Sequence, residues 1–318
     1  RYGKGFVKAA LGESCYEKGE DNYEVMSLLT RAQVEAGQGG TMEIAFAAVG
    51  VRVRLALLQG DSPAARELLA SFEQSVRENR AVQLLPNIQA LRCRLALYEG
   101  DMDIVERWMK TAPDEDREFC VLERYRYLTK VRCYLANGEY TKAQALLEKL
   151  RYYAEQTGRP YVRMETGLLS AITKERVGGP WQEELATVLK EAERYRFLRL
   201  ITEEGAAVWP LFQREKKALQ EAGTLNKDWL RRLLAEAEEV ARRYPLYLKK
   251  RAAVAADFKG VALTILRLQA DGLSVNRIAQ RLDLKPDNVK YHIKENYRKL
   301  NVDNKTDALL AARSLGIL

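Results

Sequence analysis

Histidine occurs once in this chain, at His292, and the four cysteines, Cys15, Cys93, Cys120 and Cys133, include no Cys-x-x-Cys pair. A structural zinc site needs several such ligands at close spacing, so no zinc set is available and no metal is expected. Free cysteines scattered in this way read as small buried hydrophobes in a reducing cytosol. No run approaches the roughly 18 uncharged apolar residues of a membrane span, and no signal-peptide pattern opens the chain. A membrane partner is therefore not expected, and a cytoplasmic location is. Proline and glycine are scarce inside the helix-favouring stretches, and no strand-like alternation persists between turn signals. That argues against a sheet domain and for an all-α chain. Also missing are a Gly-x-x-x-x-Gly-Lys-Ser/Thr loop, a His-Glu-x-x-His pair and a Gly-x-Ser-x-Gly elbow. The expectation is no enzyme and no cofactor.

What is present is a chain of 318 residues, 47% hydrophobic, with 52 basic against 44 acidic residues and a formal charge of +8. The surplus is compatible with a polyanionic partner but too modest to establish one, so its distribution matters more. The chain begins at Arg1 and turns helical within a few residues, as expected of a piece of a larger protein.

An internal repeat fills the first two thirds. "RVRLALLQGD" at Arg52 to Asp61 and "RCRLALYEGD" at Arg92 to Asp101 agree at seven of ten positions at an offset of 40. Related endings recur around Gly19, Gly60, Gly100, Gly138 and Gly178, at steps of 41, 40, 38 and 40 residues. Each period holds two helix-favouring stretches separated by Gly and a polar residue. Gly supplies the left-handed conformation that ends the first helix, and Asp61 or Ser62 can cap the next. A helical hairpin of this size cannot bury its apolar stripe alone, so the copies must stack into a solenoid. The alternation resembles tetratricopeptide-type repeats lengthened beyond the usual period.

After the fifth glycine comes "RYRFLRLITEEGAAVWPLFQR", then a helix around Leu230 to Arg243, then "RRYPLYLKKR" from Arg242 to Arg251, with five basic and no acidic residues. The last stretch reads as a linker over residues 242–257. It is either a solvated hinge or an extra phosphate contact beside a DNA-binding module.

The helix that follows Pro286 divides on a wheel of 100° per residue. Val289, Ile293, Asn296 and Leu300 fall on one side; Asp287, Lys290, Tyr291, Lys294 and Arg298 fall on the other. The preceding helix starts at a plausible Ser274 cap and carries Val275, Ile278, Ala279 and Leu282 at helical spacing. A short turn over Asp283 to Lys285 separates the two, which is helix-turn-helix geometry. A cationic face by itself also serves solubility, and the fuller pattern goes further. "GLSVNRIAQRL" resembles the Gly-Leu-Ser-Asn-Lys-Glu-Ile-Ala-x-x-Leu of the LuxR-type DNA-binding domain of bacterial transcription regulators. "NVKYHIKENYRKLNV" resembles that family's Thr-Val-Lys-x-His-x-x-Asn-Ile-x-x-Lys-Leu-Gly-Val, and "NKTDALLAARSLGIL" its last helix. The resemblance covers Phe258 to Leu318.

It implies a recognition helix in the major groove of double-stranded DNA, with base reading by Lys290, Tyr291 and Lys294. Asn288, Arg298 and Lys305 become phosphate or positioning contacts, and His292 a flank residue. Contact by a homodimer on two half-sites is also implied. Four positions depart from the family: Ala262 in place of Glu, Lys285 in place of a Ser cap, and Asn296 and Asn301 in place of Ile and Gly. Repeats followed by such a domain are similar to the C-terminal half of the MalT-like regulators. That resemblance implies an N-terminal nucleotide-binding switch domain outside this chain and a small-molecule or protein effector on the repeats. A dense run of Tyr and Arg, including Arg124, Tyr125, Tyr127, Tyr152 and Tyr153, is a candidate effector surface or else inter-repeat packing.

The expected architecture is an all-α tetratricopeptide-like helical-hairpin solenoid over residues 1–241, the linker at 242–257, and a four-helix LuxR-type helix-turn-helix domain at 258–318. The expected function is a sequence-specific transcription regulator. The alternative is a protein-interaction scaffold whose terminal helices serve for docking or dimerisation.

Overall fold

The computed structural model describes residues 3–114, 123–248, 257–300, 302–314 and 317–318. Cys120, Asn301 and residues 249–256 of the expected linker lie outside them. The described residues are helical without a strand, and none of their helices is long and apolar enough to cross a membrane. The chain forms two compact units: residues 1–135 with 140–247, and residues 248–318 with 136–139.

In the repeat region ten helices form five hairpins. They are α1 (Phe6–Glu17) with α2 (Asn22–Gly37), α3 (Met42–Leu58) with α4 (Ser62–Glu78), and α5 (Leu85–Glu99) with α6 (Met102–Met109). The series continues with α7 (Arg124–Asn137) and α8 (Tyr140–Gln156), then α9 (Pro160–Arg176) and α10 (Gln182–Tyr195). The five recurring glycines end the first helix of each hairpin at positive φ, between 64° and 87°, where a Cβ would be strained. Aspartate then starts the next helix. The Asp21, Asp61 and Asp101 carboxylates accept backbone N–H bonds from the first turns of α2, α4 and α6, so Asp61 rather than Ser62 is the cap.

From the second hairpin on, the two helices of a hairpin differ in burial, and their sequences say why. In α4 the buried residues are Ala65, Leu69, Phe72 and Val76, a single stripe at i, i+4, i+7 and i+11. In α3, Ala45, Ala48, Val49, Val51, Val53, Leu55, Ala56 and Leu57 are buried around most of the circumference. First helices thus form an inner layer and second helices an outer one. Cys93 and Cys133 are buried in the inner layer with Sγ atoms 3.5 Å apart, and Cys15 is half-buried. Burying a side chain such as Leu69 or Phe72 contributes about 1.5–3 kcal/mol.

The start of the segment after the repeats, residues 198–208, is almost wholly buried. A turn at Arg196 leads into α11 (Arg199–Thr202), a 3-10 turn at Gly205–Ala207, then α12 (Trp209–Glu221) and α13 (Lys227–Arg243). Helix α13 runs past the glycine corners of the first hairpins: Arg232 donates to the carbonyls of Lys18 and Gly19, and Arg243 to that of Leu58. Guanidinium groups there satisfy carbonyls that have no partner inside their own helices. The Tyr244 ring meets Tyr98 edge-on at 5.8 Å, and Tyr244 and Tyr247 are buried. This corrects the expected linker at its start, because residues 242–247 are packed into the repeat unit instead of forming a hinge.

The second unit holds α14 (Gly260–Ala270), α15 (Val275–Leu282), α16 (Pro286–Leu300) and α17 (Lys305–Ser314). Ile265, Leu268, Ile278, Ala279 and Val289 form one apolar cluster; Phe258, Leu266, Leu300, Ala308, Ala312 and Ile317 form another. Helix α16 contributes to both and is the spine of the unit.

Candidate functional site

Helices α15 and α16 are joined by residues 283–285, with Asp283 left-handed at φ 53° and the Leu284 N–H bonded to the Ala279 carbonyl. Pro286 occupies the first helical position of α16, where its missing N–H has no intrahelical partner. Ser274 stands at the N-cap of α15, but its hydroxyl makes no capping bond. Val289 and Asn296 are fully buried, Leu300 nearly so, and Ile293 packs against the first cluster. The opposite face is open: Asn288, Lys290, Tyr291, Lys294 and Arg298 are all exposed, Tyr291 at 64%. Lys290 reaches back 3.1 Å to Asp287, and Arg298 holds Glu295 at 2.9 Å. Both pairs are in water, so phosphate can displace the carboxylates. Among the described residues Lys294 has no ion-pair partner. Lys305 is exposed at the start of α17, which Asn304 caps by accepting the Asp307 N–H at 2.9 Å. His292 is half-buried with its ring edge-on to Tyr291.

Two family departures meet in space. The Asn296 amide donates 2.9 Å to the carbonyl of Ala262, and its Oδ1 has no partner. The polar residue on the packing face therefore bonds the first turn of α14 at the position where the family's Glu is absent.

A second site candidate lies on the inner layer of the repeat unit. A groove of about 750 Å³ receives residues from all five inner helices, including Glu13, Phe46, Gly50, Arg54, Asn87, Arg94, Arg124, Tyr125, Tyr161 and Glu165, with Tyr195 and Phe197 at its end. This is within the range of small-molecule sites. Of the Tyr and Arg run, Arg124 and Tyr125 line the groove. Tyr127 and Tyr153 are buried in the core and Tyr152 is exposed at 67%, so the run does not form one surface.

Beside the groove lies a charge network that sequence reasoning missed. Arg54, Arg94 and Arg132 each stand six residues ahead of a corner glycine, at Gly60, Gly100 and Gly138. Stacking the hairpins aligns them, and all three converge on Glu203 and Glu204 of the segment after α11. Arg54 donates to Glu203 at 2.8 Å and to Glu17 at 2.9 Å; Arg94 donates to Glu203 at 2.8 Å; Arg132 donates to Glu204 at 3.0 Å and Glu165 at 2.8 Å. The Tyr16 hydroxyl also donates to Glu203, and its ring lies between the guanidinium groups of Arg54 and Arg199, at 4.8 and 4.7 Å. Burial alone would raise the Glu203 carboxyl, but Arg54 and Arg94 outweigh it and hold it at about 2. Glu17 shares Arg54 with Glu203, and burial pushes its carboxyl up to about 7 despite that arginine. The readable signal was an arginine recurring at one repeat position on helices that are otherwise apolar.

The comparisons agree with this geometry. The family described as "MalT-like TPR region" matches residues 28–218, and "Bacterial regulatory proteins, luxR family" matches residues 263–312. The HTH-type transcriptional regulator MalT of Vibrio campbellii (strain ATCC BAA-1116) is 24% identical over 234 residues, which is 68% of this chain and 26% of that protein. The chain thus spans about a quarter of the length of that relative. No solved structure matches. With four glycine-ended hairpins and most of α2 under the first match and the helix-turn-helix under the second, the chain belongs to the MalT-like TPR family and carries a LuxR-type helix-turn-helix domain.

Proposed function

We propose that this chain is the sensing and DNA-binding part of a sequence-specific transcription regulator acting in the cytoplasm. The observation that carries this reading is the face of α16: Lys290, Tyr291 and Lys294 stand exposed on a helix anchored through Val289, Asn296 and Leu300. A helix held on one side and cationic on the other fits the major groove, where Lys reads guanine O6 and N7 and Tyr contacts a thymine methyl or a phosphate. Asn288, Arg298 and Lys305 serve as phosphate contacts that set register. A homodimer on two half-sites follows from the family resemblance. The repeats receive an effector in the groove, where Arg124 and Tyr125 replace the wider Tyr and Arg run as the candidate contacts. The nucleotide-binding switch domain of the MalT-like resemblance is assigned to residues outside this chain, in line with its coverage of 26% of the relative.

Selection of bound duplexes from a random pool tests the reading. Lys290→Ala and Lys294→Ala should each relax preference at a defined base position, at about 1–3 kcal/mol per contact. Lys305→Ala should weaken all sequences alike. Unchanged preference in both base-reading variants sinks the assignment, and co-purification of a protein partner with no DNA binding at low salt favours a docking module instead.

A further inference from the structure

The groove has features that packing between repeats does not require. Gly50 lies in the middle of α3, where glycine is less favourable than alanine. A Cβ added there would meet no atom within 4 Å, so no neighbour demands the glycine. Ala10 and Ala47 line the same space. Small residues on two inner helices leave open a volume that larger apolar side chains could fill. One side of that volume is aromatic: Phe197 stacks with Tyr195 at 5.5 Å and meets Tyr161 edge-on at 6.1 Å.

The charges lining the groove do not balance. Arg54, Arg94, Glu17 and Glu165 are engaged in the network around Glu203 and Glu204. Among the described residues, Arg124, the first residue of α7, and Arg159, just before α9, have neither an ion-pair nor a side-chain hydrogen-bond partner. Against these two cations stands one lining acid in the same state, Glu13. Beside them, three lining residues, Glu17, Arg94 and Tyr125, each hold a buried polar atom with no hydrogen-bond partner.

Taking the groove to be the effector site proposed above, we infer that its ligand is a small organic acid with an aromatic or other cyclic apolar body. The ring lies against Tyr161, Phe197 and Tyr195, and the carboxylate takes Arg124 or Arg159. Guanidinium pairs with a planar carboxylate through two parallel N–H bonds, which a neutral amide cannot match. A cation would face two uncompensated arginines and one carboxylate.

Calorimetric titration of the full chain with phenylacetate, 3-phenylpropionate and indole-3-acetate, each beside its amide, tests the inference. At least one acid should bind, with its amide at least tenfold weaker. Arg124→Ala or Arg159→Ala should weaken the acid fivefold or more and leave the amide unchanged. Arg231→Ala, outside the groove, should change nothing. Gly50→Trp, or Gly50→Leu if the tryptophan variant fails to fold by circular dichroism, should abolish binding by filling the groove. An amide that binds as tightly as its acid overturns the acid class. So does a neutral oligosaccharide that binds where the acids do not and is lost in the Gly50 variant; both outcomes keep the groove as the effector site. Acid binding that survives filling of the groove, or no binding by any probe at millimolar concentration, overturns the groove itself.

Discussion

Asn296 is the residue whose environment least matches its position. It is fully buried at the centre of the helix-turn-helix, it satisfies its Nδ2 on Ala262, and it leaves its Oδ1 without a partner. A buried acceptor without a donor costs about 1–3 kcal/mol, and the Ala262 carbonyl keeps its place in α14 without the second bond. Asn296→Ile should therefore raise the stability of the second unit by about 1 kcal/mol, read as a higher midpoint in thermal unfolding; a lower midpoint would show the Asn296–Ala262 bond to outweigh the orphaned oxygen. The helix wheel placed Asn296 on the packing face and Lys290, Tyr291 and Lys294 on the open one, because 3.6-residue periodicity is local. It could not show that Asn296 and Ala262 meet, since they are 34 residues apart and only the crossing of α14 and α16 brings them together.

Among the elements, the segment from Leu198 to Val208 was the least legible. "ITEEG" has two charges and a glycine and carries no apolar stripe, yet Glu203 is 2% and Glu204 7% exposed. Apolar periodicity finds stripes; it does not register carboxylates buried against arginines from three different hairpins. Removing one partner of such a buried cluster leaves the others uncompensated, so Glu203→Ala should destabilise the repeat unit by about 3–5 kcal/mol, measured by urea unfolding. A loss under 1 kcal/mol would mean that the arginines find solvent once released. Glu17 behaves in the opposite sense with pH. Its folded value of about 7 lies above its ordinary 4.5, so the folded state holds a proton that the unfolded chain gives up. Its contribution is fully present below pH 4.5 and is lost as pH rises through about 7. Glu17→Gln should match the parent near pH 4 to 5 and exceed it by about 1–3 kcal/mol at pH 8. Parallel pH profiles for the two proteins would place the proton elsewhere.

For the molecule as a whole, repeat number and order were legible because each corner demands a glycine at positive φ, and that demand recurs at a nearly constant step. The start of the expected linker was misplaced because Arg242 and Arg243 look solvated in sequence, whereas Arg243 caps the Leu58 carbonyl and Tyr244 packs on Tyr98. Deleting residues 258–318 should abolish duplex binding, with the repeat unit still folded by circular dichroism. In the intact chain each phosphate contact removed should reduce the salt slope by about 0.9. Retained duplex binding by the shortened chain would move the DNA interface onto the repeats.

Stacked hairpins ordinarily touch only their neighbours, so such arrays fray from their ends and tolerate the loss or gain of a unit. Glu203 changes that rule: through Tyr16, Arg54 and Arg94 it joins hairpins one, two and three to a point up to 187 residues further along the chain. Its stability is then not a sum over neighbouring pairs. The array has a fixed length, in which losing a hairpin at one end unfastens the other.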